Sequence, residues 1–145
     1  MARCDDRLDI IELIHQYAAI VDLRRYDDIP RVFADDAECD YGSMRAYLGD
    51  DTNPHGRADI DRWIRLYTGR RSSMHFMHNH VVEFVDDDQA RMRNYMHNTN
   101  SSIAGIYETE ARRTDEGWRL TRLRLDERFL DADRVAPTPL DGAGS

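Results

Sequence analysis

Four stretches in the second half of the chain decide the fold: SSMHFMHNHVVEFV (72–85), QARMRNYMHN (89–98), IAGIYETEARR (103–113) and WRLTRLRLDERFL (118–130). Their lengths and their alternation of apolar with polar residues are typical of β-strands. The segments between them, 86–88, 100–102 and 115–117, are rich in Asp, Asn, Ser and Gly, which favour turns. Long strands joined by short turns predict an antiparallel meander, because such turns leave no room for a crossover helix.

In the first half of the chain, apolar residues recur with the spacing that is typical of helices. Residues 5–26 predict an amphipathic helix whose apolar stripe is formed by Leu8, Ile11, Ile14, Ala18 and Val21. Residues 27–33 predict a short second helix with a proline in its first turn, and residues 57–68 predict a third. Between them, residues 37–41 predict a short strand and residues 42–56 a loop. Helices followed by a run of strands indicate an α+β fold.

Length and charge bound the class of protein. The 145 residues suit one domain, which we expect over residues 1–130, followed by a flexible tail at 131–145 that is rich in Pro, Gly and Asp. The net charge of -8 argues against nucleic acid and membrane surfaces as partners, since both attract clustered positive charge. Two cysteines and an N-terminus without a signal-peptide pattern predict a cytoplasmic protein with free thiols.

Asp22 is a carboxylate on the predicted apolar face of the first helix. It follows Ile11 by eleven positions, which is roughly 20° around an ideal helix. A carboxylate on a buried face is costly unless it has a hydrogen-bonding partner or a functional role. Near the helix C-terminus it also interacts unfavourably with the helix dipole. Two interpretations are open: a salt bridge to a nearby arginine, or a carboxylate that points into a pocket and orients a histidine.

Three histidines occupy one predicted strand. Strand alternation places His78 and His80 on one face, partly exposed or at a subunit contact, and His75 on the other face with Met77 and Asn79. A three-histidine metal site would need a bulge, so we expect no metal here. His75 is the candidate general base, because imidazole accepts a proton near neutral pH and a carboxylate on its other nitrogen would fix its tautomer.

Tyrosines supply candidate hydrogen-bond donors. Tyr17 lies roughly 140° around the helix from Asp22, so the two share a pocket only if it wraps the helix end. Tyr41 ends the predicted first strand near the same region. A phenol can donate to a carbonyl or a departing hydroxyl, and ordinary core packing is the alternative for each tyrosine. The predicted substrate-binding residues are Tyr41, Trp63, Asn79 and Met77, a largely apolar lining.

Four motifs carry a resemblance to a known family: IIELIHQYAAIVDLRRYDDIPRVFADDAECDYG (10–42), HGRADIDRWI (55–64), MHFMHNHVVEF (74–84) and YETEARRTDEGWRLTRLRL (107–125). In this order they resemble the SnoaL-like branch of the nuclear transport factor 2-like superfamily. The resemblance implies a cone-shaped α+β barrel, in which three N-terminal helices close a strongly curved, mostly antiparallel sheet around a deep pocket. It also implies a homodimer packed through the outer sheet face.

The family includes cofactor-independent dehydratases, such as bile-acid and scytalone dehydratases, together with isomerases, cyclases and non-catalytic subunits. Tyr17, Asp22 and His75 fall on the positions that the dehydratase-like members use for catalysis, and Tyr41 falls on a further pocket tyrosine. One departure from the family concerns Asp126, which falls on the position of an arginine in a dehydrochlorinase relative. That departure argues against stabilisation of a halide or another anion by the last strand.

These residues predict a lyase or isomerase, of dehydratase or cyclase type, that needs no cofactor. His75, oriented by Asp22, would remove a proton next to a carbonyl, and Tyr17 would polarise the carbonyl or protonate a leaving hydroxyl. The predicted substrate is a small, mostly apolar, carbonyl-containing or hydroxylated metabolite, for example of secondary metabolism. The alternative is a non-catalytic module for ligand binding or subunit assembly, which a filled interior with Asp22 paired to an arginine would favour.

Overall fold

The structure is a computed structural model that describes residues 2–68, 74–99 and 103–129, apart from the side chains of residues 2, 47, 103 and 129. The predicted tail at 131–145 and the first two residues of the strand predicted at 72–85 lie outside these residues. Within the described ranges there are two long and two single-turn α-helices and five strands: α1 (Ala2–Leu23), α2 (Ile29–Val32), β1 (Phe33–Asp40), α3 (Arg45–Leu48), α4 (Arg57–Thr68), β2 (His75–Phe84), β3 (Gln89–Asn98), β4 (Ile103–Thr114) and β5 (Gly117–Phe129). Short 3-10 turns at Tyr26–Asp28 and Gly42–Met44 lead into α2 and α3.

The five strands form one sheet in the order β1-β5-β4-β3-β2. Strands β2 to β5 pair antiparallel in sequence order, which confirms the predicted meander, whereas β1 pairs parallel with β5. The α+β class is therefore confirmed. The sheet is curved but open, because β1 and β2 are its two edges and do not pair with each other. A curved, mostly antiparallel sheet covered by helices is as predicted.

The hydrophobic core lies between one face of the sheet, here called the inner face, and helices α1 and α4. Buried side chains come from α1 (Ile10, Ile14), α4 (Ile60, Ile64) and the strands. Leu8 was predicted in the α1 stripe but is 65% exposed. The helix is rotated so that the overlapping apolar series through Ile10, Leu13, Ile14 and Tyr17 faces the sheet. None of the helices among the described residues is long and apolar enough to span a membrane.

Strand β1 begins earlier than predicted. Phe33 was expected in the short second helix, but its backbone is extended (φ -105°, ψ 137°) and it pairs with Leu120 of β5. Burial of the Phe33 ring against the sheet outweighs the helical pattern of the preceding residues, since strand pairing and core packing override local propensity. The predicted loop at 42–56 likewise contains the single turn of α3.

A β-bulge interrupts β2 between His78 and Val81, and Asn79 has a left-handed backbone (φ 55°). An extra residue in one strand changes the phase of its side-chain alternation. His75 therefore lies on the inner face before the bulge, and Val82 is buried on that face after it. The expectation that His78 and His80 share one face was wrong, because it assumed an unbroken strand.

Candidate active site

A cavity of about 100 Å³ lies between α1, α3, α4 and the inner face of β2 to β5. Its floor is buried and largely aromatic, formed by Tyr17, Tyr41, Trp63, Met96, Tyr107 and Leu125. Its rim is half-buried and includes Val21, Met44, Leu48, Tyr67, Thr68, His75, Asn98 and Glu127. The half-buried rim gives solvent and small molecules a route to the floor.

His75 and Asp22 form a close pair at this rim. Asp22 is in the last turn of α1, and His75 is the first residue of β2. One carboxylate oxygen lies 2.6 Å from Nδ1 of the imidazole, and the other accepts a 2.8 Å hydrogen bond from the backbone N–H of His75. The side chains of His75 and Asp22 are only 14% and 9% exposed. Of the two interpretations of Asp22, the structure therefore shows a bond to histidine rather than a salt bridge to arginine.

A carboxylate can only accept hydrogen bonds, so Nδ1 of His75 carries the proton in this pair. In the neutral form of this tautomer the free lone pair is on Nε2, which is the nitrogen not engaged by Asp22. Because Asp22 also holds the backbone at His75, both the position and the rotation of the ring are set by one side chain. The pair has the arrangement of a general base with an orienting carboxylate.

Tyrosine hydroxyl groups gather on the cavity floor. The hydroxyls of Tyr17 and Tyr41 are 2.9 Å apart. Tyr107 meets the ring of Tyr17 edge to face, with ring centroids 5.8 Å apart. Burial, above all, raises the pKa of all three phenols well above the ordinary value. They therefore remain neutral hydrogen-bond donors at neutral pH.

Trp63 supports this cluster from α4. Its indole stacks on the ring of Tyr41 with centroids 4.1 Å apart and planes within 3° of parallel. The indole N–H donates to the carbonyl of Asp51 at 2.7 Å, and the N–H of Tyr41 donates to the carbonyl of Thr52 at 2.8 Å. The segment between α3 and α4 is thus tied to both aromatic residues.

The structure brings together most of the residues that the sequence predicted for the site. Tyr17, Tyr41, Trp63 and His75 line the cavity, and Asp22 lies directly behind His75. Two predicted substrate-binding residues are placed elsewhere. Asn79 is exposed because the bulge in β2 removes it from the inner face. Met77 does face inward, but its sulfur contacts the amide of Asn94 at 3.6 Å and it does not line the cavity.

Three polar residues that strands β3 to β5 contribute to the lining, Asn98, Tyr107 and Glu127, were not predicted as site residues. Glu127 continues the inner-face series of Leu123 and Leu125 along β5, so strand parity indicates it only once the buried face of β5 is known. Asp126, which was aligned with a functional position in relatives, instead pairs with Arg128 on the opposite face of β5. Asn98 could have been found only from strand pairing, since it is the cross-strand partner of His75.

Other histidines lie outside the cavity. On the outer face, His78 Nε2 is 2.8 Å from His97 Nδ1. His80 packs edge to face against His15 of α1, with ring centroids 4.9 Å apart, and burial is the main cause that lowers its pKa. Although β2 does contain a bulge, no group of three potential metal ligands occurs among the residues the structure describes.

Comparisons with known proteins agree with this architecture. A family model described as a SnoaL-like domain matches residues 2–124. An uncharacterized protein of Mycobacterium tuberculosis (strain ATCC 25618 / H37Rv) is 33% identical over 132 residues, which cover 84% of this chain and 85% of the relative.

Solved structures show the same fold. A Novosphingobium aromaticivorans protein, provisionally described as an aromatic ring hydroxylase, is 30% identical, with a TM-score of 0.73 over 88% of this chain and 90% of that chain. The hexachlorocyclohexane dehydrochlorinase LinA-type3 of Novosphingobium barchaimii LL02 is 21% identical, with a TM-score of 0.74 over 88% of this chain and 89% of that chain. The descriptions of these two proteins name different reactions. These comparisons therefore do not decide which reaction the residues of the site support.

Proposed function

The chain belongs to the SnoaL-like domain family, and from this membership we propose that it is a cofactor-independent lyase or isomerase. The family includes dehydratases and isomerases. The substrate in this proposal is a small, mostly apolar metabolite that carries a carbonyl or hydroxyl group. An apolar cavity of about 150 Å³ accommodates benzene, so a cavity of about 100 Å³ with a half-buried rim suits a substrate of about one ring.

The observation that carries the proposal is the 2.6 Å contact between Asp22 and Nδ1 of His75 at the rim of an aromatic cavity. Nε2 takes a proton from the carbon next to the substrate carbonyl, and the electron pair of that C–H bond moves onto the carbonyl oxygen as an enolate. The imidazolium that forms is stabilised by the Asp22 carboxylate. Such a general base contributes about 10²–10⁴-fold to the rate.

The tyrosine hydroxyls complete the mechanism. Of the hydrogen-bonded pair Tyr17 and Tyr41, one neutral phenol donates to the developing enolate oxygen, where charge appears in the transition state, while it accepts the hydrogen bond of the other. In a dehydration, the enolate then collapses, the C–O bond to a β-hydroxyl breaks, and the proton held by His75 leaves with that hydroxyl as water. In an isomerisation, the same proton returns to a different carbon. Both reactions begin with the same proton transfer.

A non-catalytic binding or assembly module is the second candidate. Such a module would need neither a carboxylate that fixes the tautomer of a histidine nor several hydrogen-bond donors at one point of the cavity. A filled interior with Asp22 paired to an arginine would have favoured it. Asp22 is paired to His75 instead, beside an open cavity, and this favours the enzyme.

The test uses 3-hydroxycyclohexanone, a one-ring β-hydroxy ketone, in D2O. Proton NMR reads both deuterium incorporation next to the carbonyl and loss of water to 2-cyclohexenone. We expect the wild-type protein to accelerate exchange, and His75→Gln and Asp22→Asn to lower the rate about 10²–10⁴-fold.

Asp27→Asn is the matched control, since Asp27 is a fully exposed carboxylate outside the cavity. It should leave the exchange rate unchanged. Nitrogen-15 NMR of Asp22→Asn should also show that His75 no longer holds its proton on Nδ1 alone. Equal exchange by a folded His75→Gln variant, or no acceleration by the wild type, contradicts the proposal.

A further inference from the structure

Two histidine side chains meet on the outer face of the sheet, away from the cavity. His78 is on β2 and His97 is on β3. Strand pairing aligns Phe76 with His97 and, two residues further along β2, His78 with Tyr95, so the two histidines are diagonal neighbours. Nε2 of His78 lies 2.8 Å from Nδ1 of His97, and the two ring planes are within 9° of parallel. Each imidazole therefore presents one nitrogen to the other.

Strand pairing fixes the backbone beneath both rings. His78 holds the last regular position of β2 before the bulge, and His97 is one residue before the end of β3. The ring of Phe76 lies beside that of His97, with planes within 15° of parallel and centroids 5.0 Å apart. His97 is exposed and His78 is half-buried, so ions in solution can reach the pair. The two nitrogens are thus held close together at a surface that is open to water.

The 2.8 Å contact joins two nitrogens, so one ring donates a proton and the other accepts it. A metal ion needs a lone pair on each nitrogen, because imidazole ligates metals in its neutral form. The donor ring provides its lone pair when its proton moves to its other nitrogen, which changes the tautomer but not the charge. A metal ion can then take the place of the shared proton, with both imidazoles remaining neutral.

The spacing of the two nitrogens suits ligands at a right angle. With a metal–imidazole distance of about 2.0–2.1 Å, two nitrogens are about 2.9 Å apart at a right angle and about 3.4 Å apart at the tetrahedral angle. The observed 2.8 Å is close to the first of these values. Neighbouring ligands at right angles are typical of square-planar Cu²⁺ and Ni²⁺ sites. Each ring must also turn so that its lone pair points at the ion, which the position of the pair at the surface permits.

The strand neighbours of the two histidines are uncharged. Phe76 and Ala104 flank His97, and Tyr95 is the partner of His78, so none of these neighbours repels a cation. No third His, Cys, Asp or Glu completes a metal site among the residues that the structure describes. Two imidazoles favour transition metals such as Cu²⁺ and Ni²⁺ over hard ions such as Mg²⁺. The other coordination positions are open to water or to a second copy of this chain.

We propose that His78 and His97 chelate a divalent transition-metal ion, Cu²⁺ or Ni²⁺, on the outer face of the sheet. The ion takes no part in the reaction proposed above, because this pair lies outside the cavity that His75 borders. Cu²⁺ binds more tightly than Ni²⁺, as it does at most nitrogen sites. A second copy packed on this face, as the family resemblance implies, would offer its own pair of imidazoles to the open positions.

The test uses the full-length protein without a histidine tag, since a tag would itself bind the metal. Isothermal titration calorimetry with NiCl₂ at pH 7.5 measures the dissociation constant and the number of ions per chain. We expect one ion per chain if water completes the site, and one ion per two chains if a second copy completes it. His78→Gln and His97→Gln should each weaken binding by about tenfold or more, because a single imidazole loses the advantage of two linked ligands.

His55→Gln is the matched control. His55 is an exposed histidine that lies 3.5 Å from Glu38 and outside the pair, so this variant should keep the wild-type dissociation constant. Pulsed electron paramagnetic resonance of bound Cu²⁺ counts the imidazole ligands, and we expect at least two in wild type and fewer in His97→Gln. The inference is overturned if wild type binds neither ion, or if either variant of the pair binds Ni²⁺ within twofold of wild type. It is equally overturned if His55→Gln weakens binding as much as they do.

Discussion

Tyr17, Tyr41 and Tyr107 bury three phenol hydroxyls in one contact network, and this has a consequence for stability. Each folded-state pKa is raised above the ordinary value of 10.0. Below pH 10 the folded and unfolded states are both protonated, so the full stability is present. Above pH 10 the unfolded state loses these protons first, and the free energy of unfolding falls as pH rises.

We therefore predict a loss of stability that begins near pH 10 and steepens toward about 4 kcal/mol per pH unit, the limit for three phenols. Chemical unfolding followed by circular dichroism between pH 9 and 11 measures the slope. Tyr17→Phe should lower the slope by about one third. Tyr95→Phe, which removes an exposed hydroxyl, is the control. A Tyr17→Phe slope equal to that of wild type would contradict the prediction.

At the same scale, the sequence predicted some site residues and missed others for identifiable reasons. Asp22 stood out because a carboxylate interrupted an apolar helical stripe, and its bond to His75 is present in the structure. Tyr107 did not stand out, because an aromatic residue in a strand is ordinary core. Glu127 lies between the charged residues Asp126 and Arg128, and only the observed burial of Leu123 and Leu125 shows that it is the one on the inner face.

At the scale of elements, the bulge in β2 decides which histidines face the cavity. Asn79 holds its left-handed backbone (φ 55°) at the centre of the bulge. Asparagine tolerates this conformation, whereas a β-branched residue there costs about 1–2 kcal/mol.

We predict that Asn79→Val lowers the free energy of unfolding by about 1–2 kcal/mol. Asn79→Gly is the matched variant, since glycine adopts this backbone freely, and it should stay close to wild type. Denaturant titration followed by circular dichroism compares the three proteins. Equal stability of the valine and glycine variants would show that the backbone at Asn79 is not strained by a side chain.

The sequence predicted well which helices and strands are present. It predicted less well which face of a helix or strand points toward the core. The α4 helix and strands β3 to β5 lie within two residues of the predicted bounds, because their periodic patterns and turn residues are strong. On α1 the predicted apolar stripe was wrong at Leu8, which is exposed, whereas Ile14 and Ala18 of the same stripe are buried. The difference arises because two apolar series overlap on that helix. The bulge was missed because the alternation rule assumes a regular strand without an extra residue. No local residue pattern in β2 indicates that an extra residue is inserted there.

At the scale of the whole molecule, three large apolar side chains of the described residues are exposed together on the outer face of the sheet. Phe76, Val81 and Tyr95 are 40%, 56% and 45% exposed. They lie on the neighbouring strands β2 and β3, next to the paired imidazoles of His78 and His97. Clustered exposed apolar side chains favour association, which supports the homodimer that the family resemblance implies.

We predict that the protein is a dimer in solution and that Tyr95→Glu converts it to monomer, because a buried charge without a partner opposes assembly. Light scattering coupled to size-exclusion chromatography measures the mass. Leu23→Glu is the control, since Leu23 is 66% exposed on α1, away from this face, and the dimer should persist. A monomeric wild type, or loss of the dimer in both variants, contradicts the prediction.

The parallel pairing of β1 with β5 joins distant parts of the chain, with Phe33 beside Leu120. During synthesis on the ribosome, the helix that carries Asp22 emerges long before the strand that carries Glu127. The edge strand that follows this helix has no partner until β5 is made, and contacts so far apart in sequence form late. A nascent chain that has extruded α1 through β4 therefore exposes an unpaired strand edge, for which chaperones are the natural protection. Assembly of the cavity therefore requires β5 to have been synthesised.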